Sequence, residues 1–181
     1  MISAKRILGI LAVAIILFIL AVVGYNIVLK YLYPQRFSEH VNKYSSEYGV
    51  DKELIYAVIK CESNFKTDAN SHAGAVGLMQ LTEETFNDIG KMLDVDDKAF
   101  RIDAYDAETN IRYGTRYLKY LLEFFRGDKM AAIAAYNAGM GNVGKWKSAN
   151  EPLELDDIRF EETLEYVKRV LDAEEYYSEL Y

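Results

Sequence analysis

Glu62 stands where a surface glutamate should not. Read as a helix turning about 100° per residue, the stretch 52–65 puts Leu54, Ile55, Val58, Ile59, Cys61 and Phe65 on one side. Tyr56, Lys60, Ser63 and Asn64 share the other side, and Glu62 falls between Val58 and Ile55, inside the apolar stripe. A carboxylate there is costly unless it is neutral or paired, and burial raises its pKa. Its place near the C-terminal end of the helix adds to this, because the helix dipole disfavours negative charge there. A carboxyl that stays protonated near neutral pH is suited to general-acid chemistry. A structural glutamate paired with a lysine or arginine fits the same helical wheel, and the wheel alone does not separate the two.

Other chemistries find less support. Two histidines and one cysteine are too few for a structural zinc site or an internal disulfide, and His40 and His72 lack metal-ligand spacing. Residues 139–144, Gly-Met-Gly-Asn-Val-Gly, match G-x-G-x-x-G, but an alanine-rich helical run precedes them where a nucleotide fingerprint needs a strand. A Cys61–His72 thiol nucleophile is disfavoured because Cys61 belongs to the apolar stripe. Asp94, Asp96 and Asp97 read as a solvated acidic loop. Three of the 21 basic residues and none of the 28 acidic ones lie in residues 1–34, so residues 35–181 carry a net charge of −10. Such a body repels phosphate backbones, which argues against nucleic acid as a partner.

Four short motifs follow Glu62 in order. Residues 62–65 are Glu-Ser-Asn-Phe, and residues 71–80 are Ser-His-Ala-Gly-Ala-Val-Gly-Leu-Met-Gln. Residues 135–139 are Ala-Tyr-Asn-Ala-Gly, and residues 162–167 are Glu-Thr-Leu-Glu-Tyr-Val. In this order and spacing, over about residues 38–175, the chain resembles the catalytic domain of the soluble-lytic-transglycosylase type, glycoside hydrolase family 23, related in fold to goose-type lysozyme.

The resemblance implies cleavage of the β-1,4 bond between N-acetylmuramic acid and N-acetylglucosamine in peptidoglycan glycan strands. Glu62 would protonate the leaving oxygen and then, ionised, accept the proton of the muramic acid C6 hydroxyl as it closes a 1,6-anhydro ring. No water is consumed, so the scheme departs from the two-carboxylate pattern of glycosidases and needs no cofactor or metal. The resemblance also implies substrate contacts at Ser71, Gln80, Tyr136, Asn137, Glu162 and Tyr166. Thr82 departs from the family, where methionine is frequent two residues past the glutamine. The residues themselves also allow simpler roles: Gly74 and Gly77 as loop glycines, Met79 and Leu81 as core, and Tyr136 as a core aromatic with a satisfied hydroxyl. Tyr113, Tyr117 and Tyr120 recur at helical spacing and read as packing or surface residues. Two competing functions stay open: a hydrolytic muramidase, which needs a second carboxylate, and a non-catalytic peptidoglycan-binding module.

Helices must position these residues, because strand signals are weak. Proline occurs only at 34 and 152, so little interrupts the chain between them. The spacing predicts a helix from Ser38 to Tyr48 stopped by Gly49, and one over 52–64 capped by Asp51. Thr82 caps a run through Leu93, and Ile111, Gly114, Leu118, Leu121, Leu122 and Phe125 recur up to Gly127. Asp128 opens a helix closed by Gly139, and a last one runs over about 162–177. The expected fold class is an all-α, lysozyme-like domain over 35–181, preceded by one transmembrane helix within 1–34.

That helix is read over residues 7–29, where only Gly9, Gly24 and Asn26 lie outside the hydrophobic set. At about 1.5 Å per residue it reaches roughly 35 Å, enough for the ~30 Å hydrocarbon layer. The run exceeds the ~7–15 residue core of a signal peptide, and Val23-Gly24-Tyr25-Asn26 is a poor cleavage site, so an uncleaved anchor is expected over an unusually long signal peptide. Lys5 and Arg6 precede it and Lys30 follows. The positive-inside rule then puts the N-terminus in the cytoplasm and the body outside the cell membrane, in single-pass topology. No protein partner is legible in the sequence.

Overall fold

The computed structural model describes residues 4–94, 100–148 and 151–181. Nine α-helices follow each other among them: α1 Ala4–Leu32, α2 Ser38–Tyr48, α3 Lys52–Ser63, α4 Glu83–Met92, α5 Phe100–Asp103, α6 Ala107–Phe124, α7 Lys129–Ala138, α8 Met140–Trp146 and α9 Glu161–Leu180. A 3-10 turn, Leu155–Asp157, precedes α9. Among the described residues the only β features are two isolated antiparallel bridges, Asn70 with Val76 and Val76 with Leu81. Asp96 and Asp97 of the expected acidic loop lie outside the described residues.

Helix α3 is the centre of the body. Leu54 to Ile59 are all buried, and its most extensive neighbour is α9. The helical wheel puts Tyr56 and Ser63 on a polar face, yet both are buried. The reason is enclosure from several sides: Tyr56 stacks on Tyr177 of α9 with ring centroids 5.2 Å apart, and Ser63 donates its hydroxyl to the carbonyl of Leu78 at 2.7 Å. A central helix loses the solvent-facing stripe on which a two-sided wheel relies. Truncating Leu54 or Ile55 there to alanine costs ~2–5 kcal/mol.

The helix ends follow local chemistry. Thr82 accepts from the backbone N–H of Thr85, and Asp128 accepts from that of Ala131, as N-caps do. Asp106 caps α6 in the same way through Thr109, an end the periodicity alone does not mark. Asp51 occupies the N-cap position of α3 but its side chain makes no capping bond. Gly49 closes α2 in the left-handed conformation at φ 64. Helix α9 runs three residues further than expected, to Leu180, and α8 occupies the glycine-rich segment that matched the nucleotide pattern.

Helix α1 is exposed over its described side chains except the half-buried Leu29, and carries an apolar stretch, Leu8–Leu32, long enough to cross a membrane. It continues past position 29 through Lys30 and Tyr31. Its end is fastened to the end of α9. Tyr33 stacks on Tyr176 at 4.6 Å, Tyr177 donates its hydroxyl to the carbonyl of Pro34 at 3.2 Å, and Tyr181 donates to the carbonyl of Tyr33 at 3.2 Å.

Candidate active site

Helix α3 delivers Glu62 in its last turn, with the side chain half-buried between the packed interior and an open side. Tyr166, buried on α9, donates its hydroxyl to Glu62 Oε1 at 2.6 Å. Burial dominates the titration of this carboxyl and pushes its pKa from 4.5 up to about 7. The Tyr166 hydroxyl and the charge of Arg169 pull the other way, by less. Near neutral pH the group is therefore present in both protonation states, which an acid that becomes a base requires.

Tyr136 arrives from α7. Its hydroxyl donates to the carbonyl of Met79 at 2.8 Å, and its ring lies 5.2 Å from that of Tyr117. Burial, and then the neighbouring charge of Glu62, hold its pKa well above 10. Tyr166 is shifted the same way for the same two leading reasons. Two hydroxyls that keep their protons thus flank one carboxyl that can lose its own.

The loop between α3 and α4 forms the adjoining wall, and its shape is imposed from both sides. Ser63, next to Glu62, holds the carbonyl of Leu78 at 2.7 Å. On the far side Asn110 of α6, fully buried, accepts from the N–H of Met79 at 2.7 Å. Its amide nitrogen donates to the carbonyls of Ala104 at 2.7 Å and Val76 at 3.2 Å. Gly77 turns here at φ 78, and a Cβ added to it runs into the Asn110 side chain and the Ala104 carbonyl. Only glycine meets both the backbone angle and the close approach.

The other expected contacts are spread along this wall and its rim. Gln80, at φ 48, donates its amide to the carbonyls of Gly77 at 2.9 Å and Ala69 at 3.2 Å, so its nitrogen braces the loop. Ser71 is exposed at the outer end of the loop, where its hydroxyl accepts from the N–H of Ala75 at 3.0 Å. Asn137 is exposed on α7, and its Oδ1 accepts from the hydroxyl of Thr163 at 2.7 Å, linking α7 to α9 one turn before Tyr166. Glu162 is exposed in the first turn of α9, and its side chain makes no hydrogen bond or ion pair among the described residues. The structure therefore gathers Tyr136 and Tyr166 at Glu62, sets Gln80 in the adjoining loop, and leaves Ser71, Asn137 and Glu162 further out.

Several roles here are not given by the motif reading. Asn110 and Ser63 shape the loop, and Arg169 lies one helical turn beyond Tyr166, within electrostatic reach of Glu62. Tyr117 and Tyr120, read as packing or surface residues, line a cavity of about 310 Å³ with Ile89, Met92, Gly139 and Met140. Asn110 leaves one trace in the sequence, a short amide beside the apolar Ile111 within a helical stripe. The thiol of Cys61 is pushed up to about 11, chiefly by burial, and His72 is exposed, so no thiolate nucleophile is poised here. Among the described residues no group of three histidine, cysteine or acidic side chains could hold a metal ion.

The chain is similar to known proteins in both sequence and fold. The sequence profile of the "Transglycosylase SLT domain" matches residues 39–157. The soluble lytic murein transglycosylase of Escherichia coli K12 is 32% identical over 151 residues, covering 80% of this chain and 23% of the relative. Membrane-bound lytic murein transglycosylase C of Sodalis glossinidius is 40% identical over 111 residues, covering 57% of this chain and 31% of the relative. The chain thus spans about a quarter to a third of the length of these curated relatives. The crystal structure of the 70 kDa soluble lytic transglycosylase of Escherichia coli superposes with a TM-score of 0.78 at 31% identity, over 83% of this chain and 25% of that one. An inactive glutamate-to-glutamine mutant of the lytic transglycosylase Slt from Pseudomonas aeruginosa gives 0.75 at 30% identity, over 82% of this chain and 25% of that one.

Proposed function

From the premise that this chain belongs to the transglycosylase SLT domain family, we propose that it is a peptidoglycan lytic transglycosylase. It cuts the β-1,4 bond between N-acetylmuramic acid and N-acetylglucosamine. Protonated Glu62 delivers its proton to the leaving glycosidic oxygen as the bond to C1 breaks. The resulting carboxylate takes the proton of the muramic acid C6 hydroxyl, whose oxygen attacks C1. The product is a 1,6-anhydro end, and Glu62 is protonated again. One observation carries this reading: a half-buried carboxyl, bonded by Tyr166 at 2.6 Å, whose pKa stands at about 7. A group poised at that value serves as acid and base in one cycle with little cost in either step.

The remaining site assignments follow from the same premise. Tyr166 holds the carboxyl in place through its hydroxyl, and Tyr136, anchored on the Met79 carbonyl, sets its ring and hydroxyl beside the cut bond. Gln80 offers its amide oxygen, while Ser71, Asn137 and Glu162 meet the glycan further from the cut bond. Tyr117 and Tyr120 present aromatic faces for a neighbouring sugar. Residues 35–181 form the catalytic body, and 1–34 anchor it as a single-pass helix on the outer side of the membrane. The apolar Leu8–Leu32 stretch and the membrane-bound relative support the anchor.

The test is a digestion of purified peptidoglycan sacculi by the wild type and by Glu62→Gln, read by mass spectrometry. The expected products are 1,6-anhydromuropeptides from the wild type, formed on the order of 10²–10⁴-fold more slowly by the variant. Reducing-end products from the wild type instead make it a hydrolytic muramidase. Binding to sacculi without cleavage by the wild type makes it a binding module.

A further inference from the structure

A second cavity lies where α1 meets the body. It encloses about 450 Å³, and Lys30, Pro34, Arg36, Lys60, Asn64 and Phe65 are among the residues that line it. Three cations face this space and no carboxylate does. That is unusual in a body of net charge −10. Lys30, Arg36 and Lys60 have no acidic partner among the described residues; other unpaired cations such as Lys145 and Arg159 stand on exposed surface, whereas these three converge on one cavity.

Aromatic rings hold these charges instead. Lys30 Nζ lies 5.2 Å from the Tyr181 ring centroid, Lys60 Nζ lies 5.6 Å from that of Tyr33, and the Arg36 guanidinium lies 5.6 Å from that of Phe37. Lys60 also donates to Asn64 Oδ1 at 2.6 Å. A ring positions a cation without neutralising it, so the charge stays available to an anion. The floor is firm: Phe65 is buried, and the carbonyls of Tyr33 and Pro34 are bonded by Tyr181 and Tyr177.

The height of this cavity follows from the chain. The apolar stretch ends at Leu32, and a helix that spans the hydrocarbon delivers its next residues into the headgroup layer. There the abundant anion is the lipid phosphate, which basic residues at the membrane surface attract. Arg36 supplies a fork that matches two phosphate oxygens, and the lysines supply point charges. We propose that this cavity binds the phosphate of an anionic membrane lipid through Lys30, Arg36 and Lys60. The proposal rests on the reading of α1 as a membrane span. Its consequence reaches the cleft: Lys60 lies on α3 two residues before Glu62, so an occupied cavity fixes the cleft relative to the membrane surface.

The test uses the full chain in nanodiscs of equal parts phosphatidylcholine and phosphatidylglycerol, released and weighed by native mass spectrometry. The wild type is expected to retain phosphatidylglycerol in preference. The triple variant Lys30→Gln, Arg36→Gln, Lys60→Gln loses that preference at least about tenfold. Lys30→Gln and Arg36→Gln alone, both at exposed positions, each weaken it about fivefold, the factor expected of one basic residue near an anionic surface. Lys145→Gln with Arg159→Gln, which removes two exposed charges elsewhere, leaves it intact. Equal retention of the two lipids, or a triple variant that retains phosphatidylglycerol as the wild type does, overturns the proposal. So does displacement of the lipid by inorganic phosphate at millimolar concentration, which marks a site for free phosphate. A chain that fails to enter nanodiscs at all overturns the anchor and this proposal together. Entry without lipid preference overturns this proposal alone.

Discussion

Glu62 and Glu108 each accept a tyrosine hydroxyl, and they titrate in opposite directions. Glu62 takes the hydroxyl of Tyr166 at 2.6 Å and is pushed up to about 7. Glu108 takes the hydroxyl of Tyr44 at 2.8 Å and is held down at about 2. The tyrosine favours the ionised form in both, so it does not explain the difference. Surroundings do. Glu108 lies in the first turn of α6 beside Lys43, whose ammonium donates to it at 2.7 Å. Glu62 lies in the last turn of α3, at the wrong end of the helix dipole, where burial outweighs the charge of Arg169. One carboxylate is built to stay charged and the other to change charge.

The largest expected effect separates them by rate. Glu62→Gln lowers cleavage of sacculi on the order of 10²–10⁴-fold, the usual worth of a general acid, while Glu108→Gln leaves the rate unchanged. Next is the scaffold beneath Glu62. Asn110→Ala removes three bonds and strands the buried N–H of Met79, costing about 3 kcal/mol in a denaturant melt, with loss of activity as the loop relaxes. The exposed Lys43–Glu108 pair, broken by Lys43→Gln, barely moves the melt.

Stability against pH sharpens the contrast. The folded-state pKa of Glu62 lies above its unfolded value, so its contribution is complete below about 4.5 and is lost as pH rises through about 7. Glu62→Gln therefore gains stability over the wild type at pH 8, by up to about 3 kcal/mol, and little at pH 5. Glu108 runs the other way: its contribution is present above about 4.5 and lost as pH falls toward about 2, so Glu108→Gln gives no gain at pH 8. The smallest effects come from the tyrosines. Tyr166→Phe moves the alkaline limb of the pH–rate profile upward, because it removes a bond that favours the Glu62 carboxylate. Tyr44→Phe leaves that profile in place.

How much of this was legible beforehand depends on whether a residue acts through local spacing or through distant contacts. Ser38–Tyr48 and Lys129–Ala138 match the expected helices to the residue, because Gly49, Asp128 and Gly139 mark their ends locally. The anomaly of Glu62 was visible on the wheel, since apolar neighbours at helical spacing already imply burial. The burial of Tyr56 was not, because Tyr177 lies far along the chain and only the fold brings it near. Asn110, and the part that Ser63 plays within its motif, stayed hidden for the same reason: each works by reaching a backbone group of a distant loop. Tyr117 and Tyr120 do repeat at helical spacing, but spacing does not tell a core face from the lining of a cleft.

The central claim is that burial holds Glu62 ready to give and take a proton near neutral pH. Its most direct test is a carbon-13 NMR titration of the glutamate carboxyl carbons, with the Glu62 resonance assigned by its absence in Glu62→Gln. The structure predicts a midpoint near 7 for that resonance, well separated from the exposed glutamates. A midpoint at the ordinary value near 4.5 would contradict it.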